Sequence, residues 1–69
     1  MRYTLIDKDV AILNGFRSET HRIVGGMMIL NENELRSRQQ DIEALAESLG
    51  GTLMTYGETV NKIKELEHD

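Results

Sequence analysis

The stretch ESLGGTLMTYG, residues 47–57, decides how the second half of the chain folds. The residues before the two adjacent glycines have a helical pattern, and a second helical pattern follows them. Three interpretations fit: a helical hairpin that turns at Gly50 and Gly51, one continuous helix, or two helices joined by a strand at residues 52–56. Glycine readily adopts the left-handed conformation that ends many helices, so the hairpin is favoured.

The pattern before the glycines predicts a helix from about residue 32 to about residue 49. Asn31, with Glu34 three residues later, has the spacing of a capping box, which satisfies free amide groups in the first turn. Glu32 and Arg36 form an i,i+4 pair in the favourable order. The apolar residues with helical spacing are Leu35, Ile42, Leu45 and Leu49.

The pattern after the glycines predicts a second helix. Thr55 and Glu58 have the spacing of another capping box, which places the start of this helix near residue 55. Val60, Ile63 and Leu66 follow at intervals of three, so they share one face of the helix.

One heptad register runs through the whole region, from Met28 to Glu67. Nine of its twelve positions are apolar, whereas a composition of 39% hydrophobic residues predicts about five. A coiled-coil seam requires such an unbroken register. Two glycines within a helix would nevertheless cost about 2 kcal/mol relative to alanines, which weakens the continuous-helix interpretation.

The first thirty residues are more ambiguous. Residues 2–6, RYTLI, are compatible with a short strand, and residues 8–24 are predicted to form a helix. The pair Asn14–Gly15 also favours a two-residue hairpin turn. Gly25 and Gly26 likewise fit a turn between two strands as well as a break in a helix.

The predicted fold is therefore one small domain, residues 1–69, of the mainly α class. It would be a helical hairpin or a three-helix arrangement with a coiled-coil-like seam and a possible short N-terminal strand. The alternative is an α+β fold with a strand at residues 52–56.

Few residues suggest catalysis or metal binding. The chain has no cysteine, which excludes disulfides and thiolate metal sites, and its two histidines are far apart. Glu65 and His68 have the spacing of a di-iron helix motif, but they stand at the chain end and are interpreted as a solvated tail. On one helix, Ser18, Glu19 and His21 would not converge on a common point. We therefore expect no enzyme, cofactor or metal.

The charge and hydropathy of the chain argue against some classes of partner. The formal net charge is −4, and the second half carries nine carboxylates against four cationic side chains. Clustered cations are needed to bind phosphates, so a nucleic-acid partner is not expected. The longest run without a polar side chain, residues 23–30, is far shorter than the ~20 residues that span a membrane. A soluble, cytoplasmic protein without a small-molecule substrate is expected.

The main functional prediction is a non-enzymatic protein–protein interaction module that self-associates or binds a larger protein, as an assembly component, adaptor or regulator. The predicted interface is the apolar stripe Met28, Leu35, Ile42, Leu45, Leu49, Leu53, Tyr56, Val60 and Ile63. One alternative is a small inhibitor that blocks a larger, nucleic-acid-handling enzyme through Glu32, Glu34, Asp41, Glu43, Glu47 and Glu58. The other is a dimeric DNA-binding regulator that uses Lys8, Arg17 and Arg22 on the first helix.

Overall fold

A three-stranded antiparallel sheet with helices on both faces organises the chain. The structure is a computed structural model that describes residues 1–68. The strands are β1 (Tyr3–Asp7), β2 (Ile23–Val24) and β3 (Met27–Asn31), in the order β1-β3-β2. The helices are α1 (Lys8–Leu13), α2 (Glu32–Arg36), α3 (Ile42–Ser48) and α4 (Tyr56–Glu67), and a 3₁₀ turn (Ser18–Thr20) precedes β2.

The two faces of the sheet are covered by different helices. Thr4 pairs with Leu30 and Ile6 pairs with Met28, so all four side chains point to one face, where none has exposed surface. On this face they meet the buried residues Ala11, Phe16, Leu35, Ile42, Ala46 and Leu49. The opposite face carries Tyr3 and Ile29, and α4 crosses it from β1 towards β2.

The prediction of a mainly α fold is wrong, because the protein is α+β. Residues 27–31 form the central strand, although Met28 is also the first position of the heptad register. Gly25 and Gly26 have φ values of 56° and 77° and make the two-residue turn that joins β2 to β3. The expected short N-terminal strand is confirmed as β1, and its pairing with β3 is what overrides the helical pattern.

The predicted helix over residues 8–24 is also wrong. Only α1 forms, because the chain turns at Asn14 and Gly15, where Gly15 has a φ of 89°. Phe16 then enters the core. Arg38 fixes this turn by donating hydrogen bonds of 2.8 and 2.9 Å to the carbonyls of Asn14 and Gly15.

The predicted helix over residues 32–49 is broken into α2 and α3. Its start is confirmed, because the Asn31 side chain accepts from the Glu34 amide at 2.9 Å and completes the capping box. Residues 37–41 are all exposed, so this stretch has no buried face that would hold a straight helix. Asp41 instead caps a new helix by accepting from the Ala44 amide at 3.2 Å.

Gly50 and Gly51 end α3 without starting a helical hairpin. The amides of Gly50 and Gly51 donate to the carbonyls of Glu47 and Ala46, both at 2.9 Å, and Gly50 has a φ of 86°. This is the hydrogen-bond pattern of a Schellman motif. The helical-hairpin and continuous-helix interpretations are therefore both wrong.

The segment after the glycines is extended and joins the sheet at one point. Met54 and Tyr3 exchange two backbone hydrogen bonds of 2.9 and 2.7 Å, which make an isolated bridge in place of the strand proposed for residues 52–56. The α+β alternative is thus the nearest of the three interpretations. The second capping box is confirmed: Thr55 and Glu58 bond reciprocally, and α4 begins at Tyr56.

None of the helices within residues 1–68 combines the length and the apolar character that a membrane span requires.

The close approach of Gly51 to β1 predicts opposite effects for two Gly→Ala changes. A Cβ at Gly51 would overlap Ile6 and lie 2.5 Å from the Thr4 hydroxyl oxygen, whereas a Cβ at Gly57 in α4 has no heavy atom within 4 Å. We expect Gly51→Ala to lower the free energy of unfolding by roughly 1–3 kcal/mol. Gly57→Ala should raise it by roughly 0.5 kcal/mol. Urea denaturation measures both, and equal effects would contradict the packing at Gly51.

The two buried threonines predict a second contrast. The Thr4 hydroxyl is buried without a hydrogen-bond partner in the described part of the chain, whereas the Thr59 hydroxyl donates to the Thr55 carbonyl at 2.8 Å. Thr4→Val should therefore raise the free energy of unfolding by roughly 1 kcal/mol, because it removes an unsatisfied polar group. Thr59→Val loses a bond and should give no gain. Thermal and urea denaturation of the two variants test this difference.

Candidate functional site

An apolar groove lies beside α4, on the face of the sheet that this helix covers only in part. Tyr56, Val60 and Ile63 form its helical wall, and Tyr3 and Ile29 form its floor. The groove has a volume of about 290 Å³. We call it the α4 groove, lined by Tyr3, Thr20, His21, Arg22, Ile29, Glu34, Tyr56, Thr59, Val60 and Ile63.

Contacts at both ends hold α4 over the sheet and leave the groove open between them. At its start, the Tyr56 ring packs against the Tyr3 ring with 6.0 Å between centroids. At its end, Leu66 packs against Gly25, where a Cβ would lie 3.1 Å from the Leu66 side chain. The Arg22 guanidinium donates to the Glu67 carboxylate at 3.2 Å beside this contact. Tyr56 remains 66% exposed, so most of its ring faces solvent next to the groove.

The polar end of the groove is built by His21 and Glu34. The Nδ1 atom of His21 lies 2.6 Å from the Arg17 carbonyl oxygen, and its Nε2 atom hydrogen-bonds to the Glu34 carboxylate. Both partners are acceptors, so both ring nitrogens must carry a proton to satisfy them. The arrangement therefore selects the imidazolium form of His21.

Electrostatics around His21 agree with this assignment. Burial of the ring lowers its pKa, but the Arg17 carbonyl and the Glu34 carboxylate raise it by more, so the pKa lies above the ordinary 6.5. The nearby Arg38 guanidinium opposes this rise. The imidazolium form thus persists above the pH at which a free histidine loses its proton.

The same cluster superficially has the components of a nucleophilic triad. The Thr20 hydroxyl oxygen lies 3.1 Å from His21 Nδ1, so a hydroxyl, an imidazole and the Glu34 carboxylate follow one another. However, the Thr20 hydroxyl donates to the Arg17 carbonyl at 3.2 Å, the same carbonyl that faces Nδ1. In its imidazolium form His21 therefore has no free lone pair to take a proton from Thr20, so this form does not activate the hydroxyl as a nucleophile.

The nine residues of the predicted interface are divided between the core and the groove. Met28, Leu35, Ile42 and Leu49 are buried in the core, and Leu45 and Leu53 pack against it. Tyr56, Val60 and Ile63 are the three that line the α4 groove. The first four are covered by the chain itself, so a partner cannot reach them while the protein is folded.

Sequence reasoning missed most of the other groove residues. Tyr3 and Ile29 reach the groove through strand pairing, and His21 meets Glu34 across 13 positions. No local spacing signals such contacts. The residues grouped with His21 in the sequence, Ser18 and Glu19, are exposed and do not line the α4 groove.

Glu65 and His68, which have the spacing of a di-iron helix motif, lie near the end of α4 and its C-cap. The described chain contains no group of three His, Asp or Glu side chains placed to hold a metal ion. Glu65 and His68 are both exposed.

Most charged side chains are engaged within the fold. Glu32 meets Arg36 at 3.2 Å and accepts from the Arg2 amide at 2.8 Å, a hydrogen bond that lowers the pKa of this carboxyl. Hydrogen bonds from Thr55 likewise lower the pKa of Glu58. The three cations proposed for DNA contact do not share a helix: they are Lys8 in α1, Arg17 in the following loop and Arg22 before β2.

No protein-family model matches the chain, and no curated protein or solved structure is significantly similar to it.

The His21–Glu34 contact predicts how stability depends on pH. The pKa of His21 is raised on folding, so its contribution is full below about pH 6.5 and is lost as the pH rises through the raised pKa. Glu34→Gln keeps an oxygen for the capping box but removes the charge, and should lower stability at low pH by roughly 0.5–1 kcal/mol. As the pH rises, the free energy of unfolding of the Glu34→Gln variant should also fall less than that of the wild type.

Urea denaturation of the variant and the wild type, at pH values below and above the raised pKa of His21, measures this difference in stability. His68→Gln is the matched control, because it replaces an exposed histidine that lies outside the His21–Glu34 pair. Identical profiles for Glu34→Gln and the wild type would show that the pair does not contribute to stability.

Proposed function

We propose that this protein is a non-enzymatic protein–protein interaction module that self-associates through the α4 groove and acts as an assembly component, adaptor or regulator. The observation that carries the proposal is the exposed Tyr56 ring beside an apolar groove. Apolar burial is worth roughly 25 cal/mol per Å². Aromatic residues next to pockets are also the residue type most enriched at the centre of interfaces.

A second copy of the chain is the partner that suits this surface. The groove needs an apolar side chain to fill it, and Tyr56 projects from its rim. A two-fold axis near α4 would place the Tyr56 ring of each copy against the groove of the other, in an isologous contact. The rim carries both signs of charge, in Arg22 and Glu67, so two copies can also exchange these ion pairs.

The imidazolium form of His21 supports binding over catalysis at this site. An imidazole that donates through both nitrogens can act neither as a general base nor as a nucleophile. The side chains that remain around the groove are mostly apolar, which suits the burial of a partner's side chain.

The acidic-inhibitor alternative has less support. Its six carboxylates are spread over three helices, and several hold the fold: Glu34 bonds His21, Asp41 caps α3 and Glu58 caps α4. Glu43 is paired with Arg2 at 3.3 Å. A continuous acidic face that imitates a phosphate array would require these groups to be free and aligned.

The DNA-binding alternative also has less support, because Lys8, Arg17 and Arg22 lie on separate elements and Arg22 is paired with Glu67.

A larger protein partner in place of a second copy stays compatible with the α4 groove. Cytoplasmic location, which a chain without cysteine permits, stays a prediction.

Tyr56→Asp is the change that tests self-association most directly. An aspartate at the first position of a helix is compatible with the helix dipole, so α4 should still form. We expect the wild type to sediment as a dimer and the variant as a monomer, because a charge replaces the ring that would enter the groove. Sedimentation equilibrium measures the masses, and circular dichroism checks the fold.

Leu13→Asp is the matched control. Leu13 is 86% exposed on α1 and does not line the α4 groove, so this change adds the same charge elsewhere and should leave the dimer intact. A monomeric wild type at all concentrations would refute self-association. Loss of the dimer in both variants would place the interface outside the groove.

A further inference from the structure

We propose that the His21–Glu34 pair is a proton-controlled latch of the α4 groove. With His21 protonated, the latch holds the groove wall formed by Thr20, His21 and Arg22 against α2, in the shape that accepts an apolar side chain. Loss of the proton weakens the hold on this wall and thereby weakens binding. The binding consequence rests on the function proposed above, whereas the coupling between His21 and the groove does not.

The segment that forms this wall is attached firmly only at its ends. At its start, Arg38 holds the Asn14 and Gly15 carbonyls, and its guanidinium carbon lies 3.9 Å from the centre of the Phe16 ring. At its end, the Arg22 carbonyl accepts from the Ile29 amide of β3 at 3.1 Å.

Between these points, the His21–Glu34 hydrogen bond is the one that ties residues 17–21 to another element in the described part of the chain. The other hydrogen bonds of this stretch are local. The amides of Thr20 and His21 donate to carbonyls three residues earlier, at 3.4 and 3.5 Å. Within residues 1–68, the Arg17 side chain makes one ion pair, with the neighbouring Glu19 at 4.0 Å. The position of this wall therefore depends on the His21 side chain.

Proton counting gives the direction of the effect. The imidazolium ring donates to the Arg17 carbonyl through Nδ1 and to the Glu34 carboxylate through Nε2. A neutral ring keeps one of these protons, and its other nitrogen then directs a lone pair at an oxygen atom. If the remaining proton is on Nδ1, the bond to Glu34 is lost. If it is on Nε2, the bond to Glu34 keeps its donor but loses the attraction between unlike charges, so the tie to α2 is weaker in both cases.

The charged groups that face His21 determine the pH at which it loses its proton. The Glu34 carboxylate of α2 favours the proton, and the Arg38 guanidinium just after α2 disfavours it. The groove residues contributed by β3 and α4 are uncharged: Ile29, Tyr56, Thr59, Val60 and Ile63. Burial lowers the pKa of His21, the hydrogen bonds to Arg17 and Glu34 outweigh it, and release falls above the ordinary 6.5.

NMR spectroscopy of the free protein tests the coupling without any partner. In a His68→Gln background, His21 is the one remaining histidine, and its ring signals are followed from about pH 5.5 to about pH 8.5. We expect the methyl signals of Val60 and Ile63 to move with the same midpoint as the His21 ring. The Leu13 methyl signals, outside the groove, should not follow it.

Glu34→Gln in the same background is the decisive variant. It should lower the midpoint of the His21 ring and of the Val60 and Ile63 methyls together, because one event causes both. Two results would overturn the latch. One is a set of Val60 and Ile63 methyl signals that do not titrate with the midpoint of the His21 ring, and the other is a methyl midpoint that is unchanged in Glu34→Gln although the His21 midpoint has moved.

Sedimentation of the full chain at the two ends of this pH range tests the effect on binding. We expect the dimer dissociation constant to rise roughly fivefold as His21 loses its proton, and to change less in Glu34→Gln. A dimer with the same dissociation constant at both pH values would refute control of binding. A monomer at every pH would refute self-association, and the latch would then be judged by the methyl signals alone.

Discussion

The antiparallel pairing of β1 with β3 is the contact on which the rest of this structure depends. It joins the first residues of the chain to residues 27–31 and places Ile6 beside Met28 on one face of the sheet. Tyr3 and Ile29 face the other way as a consequence of the same pairing. The sheet thus has two apolar faces, and a chain of 69 residues has little material with which to cover both.

The two faces are covered unequally, and the proposed function follows from this difference. The first face receives α1, α2 and α3 and is fully buried. The second receives α4 alone, which is held at its ends against Tyr3 and Gly25. The α4 groove is the part of the second face that one helix of 12 residues leaves open. A second copy of the chain would complete the coverage.

The charged residues serve the fold more than they shape an outer surface. Carboxylates accept backbone hydrogen bonds at the start of each helix, from Asp7 at α1, Glu34 at α2, Asp41 at α3 and Glu58 at α4. Arg38 fixes the turn at Gly15, and Glu34 also binds His21. An acidic net charge therefore does not become a continuous acidic face. It also means that one side chain, Glu34, links the start of α2 to the wall of the groove, which is why a proton on His21 can affect both.

The sequence by itself determined the local events, which are the capping boxes at Asn31 and Thr55 and the end of a helix at Gly50. Each depends on hydrogen bonds between residues a few positions apart, so short motifs predict it. A strand near the N-terminus was only compatible with the sequence, because β1 is fixed by hydrogen bonds to residues 27–31. Only the tertiary structure decided that residues 27–31 are a strand, because a short continuous run of apolar residues suits a buried helix as well as a buried strand. The groove arises from the same distant pairing, and its contact between His21 and Glu34 has no counterpart in any local pattern.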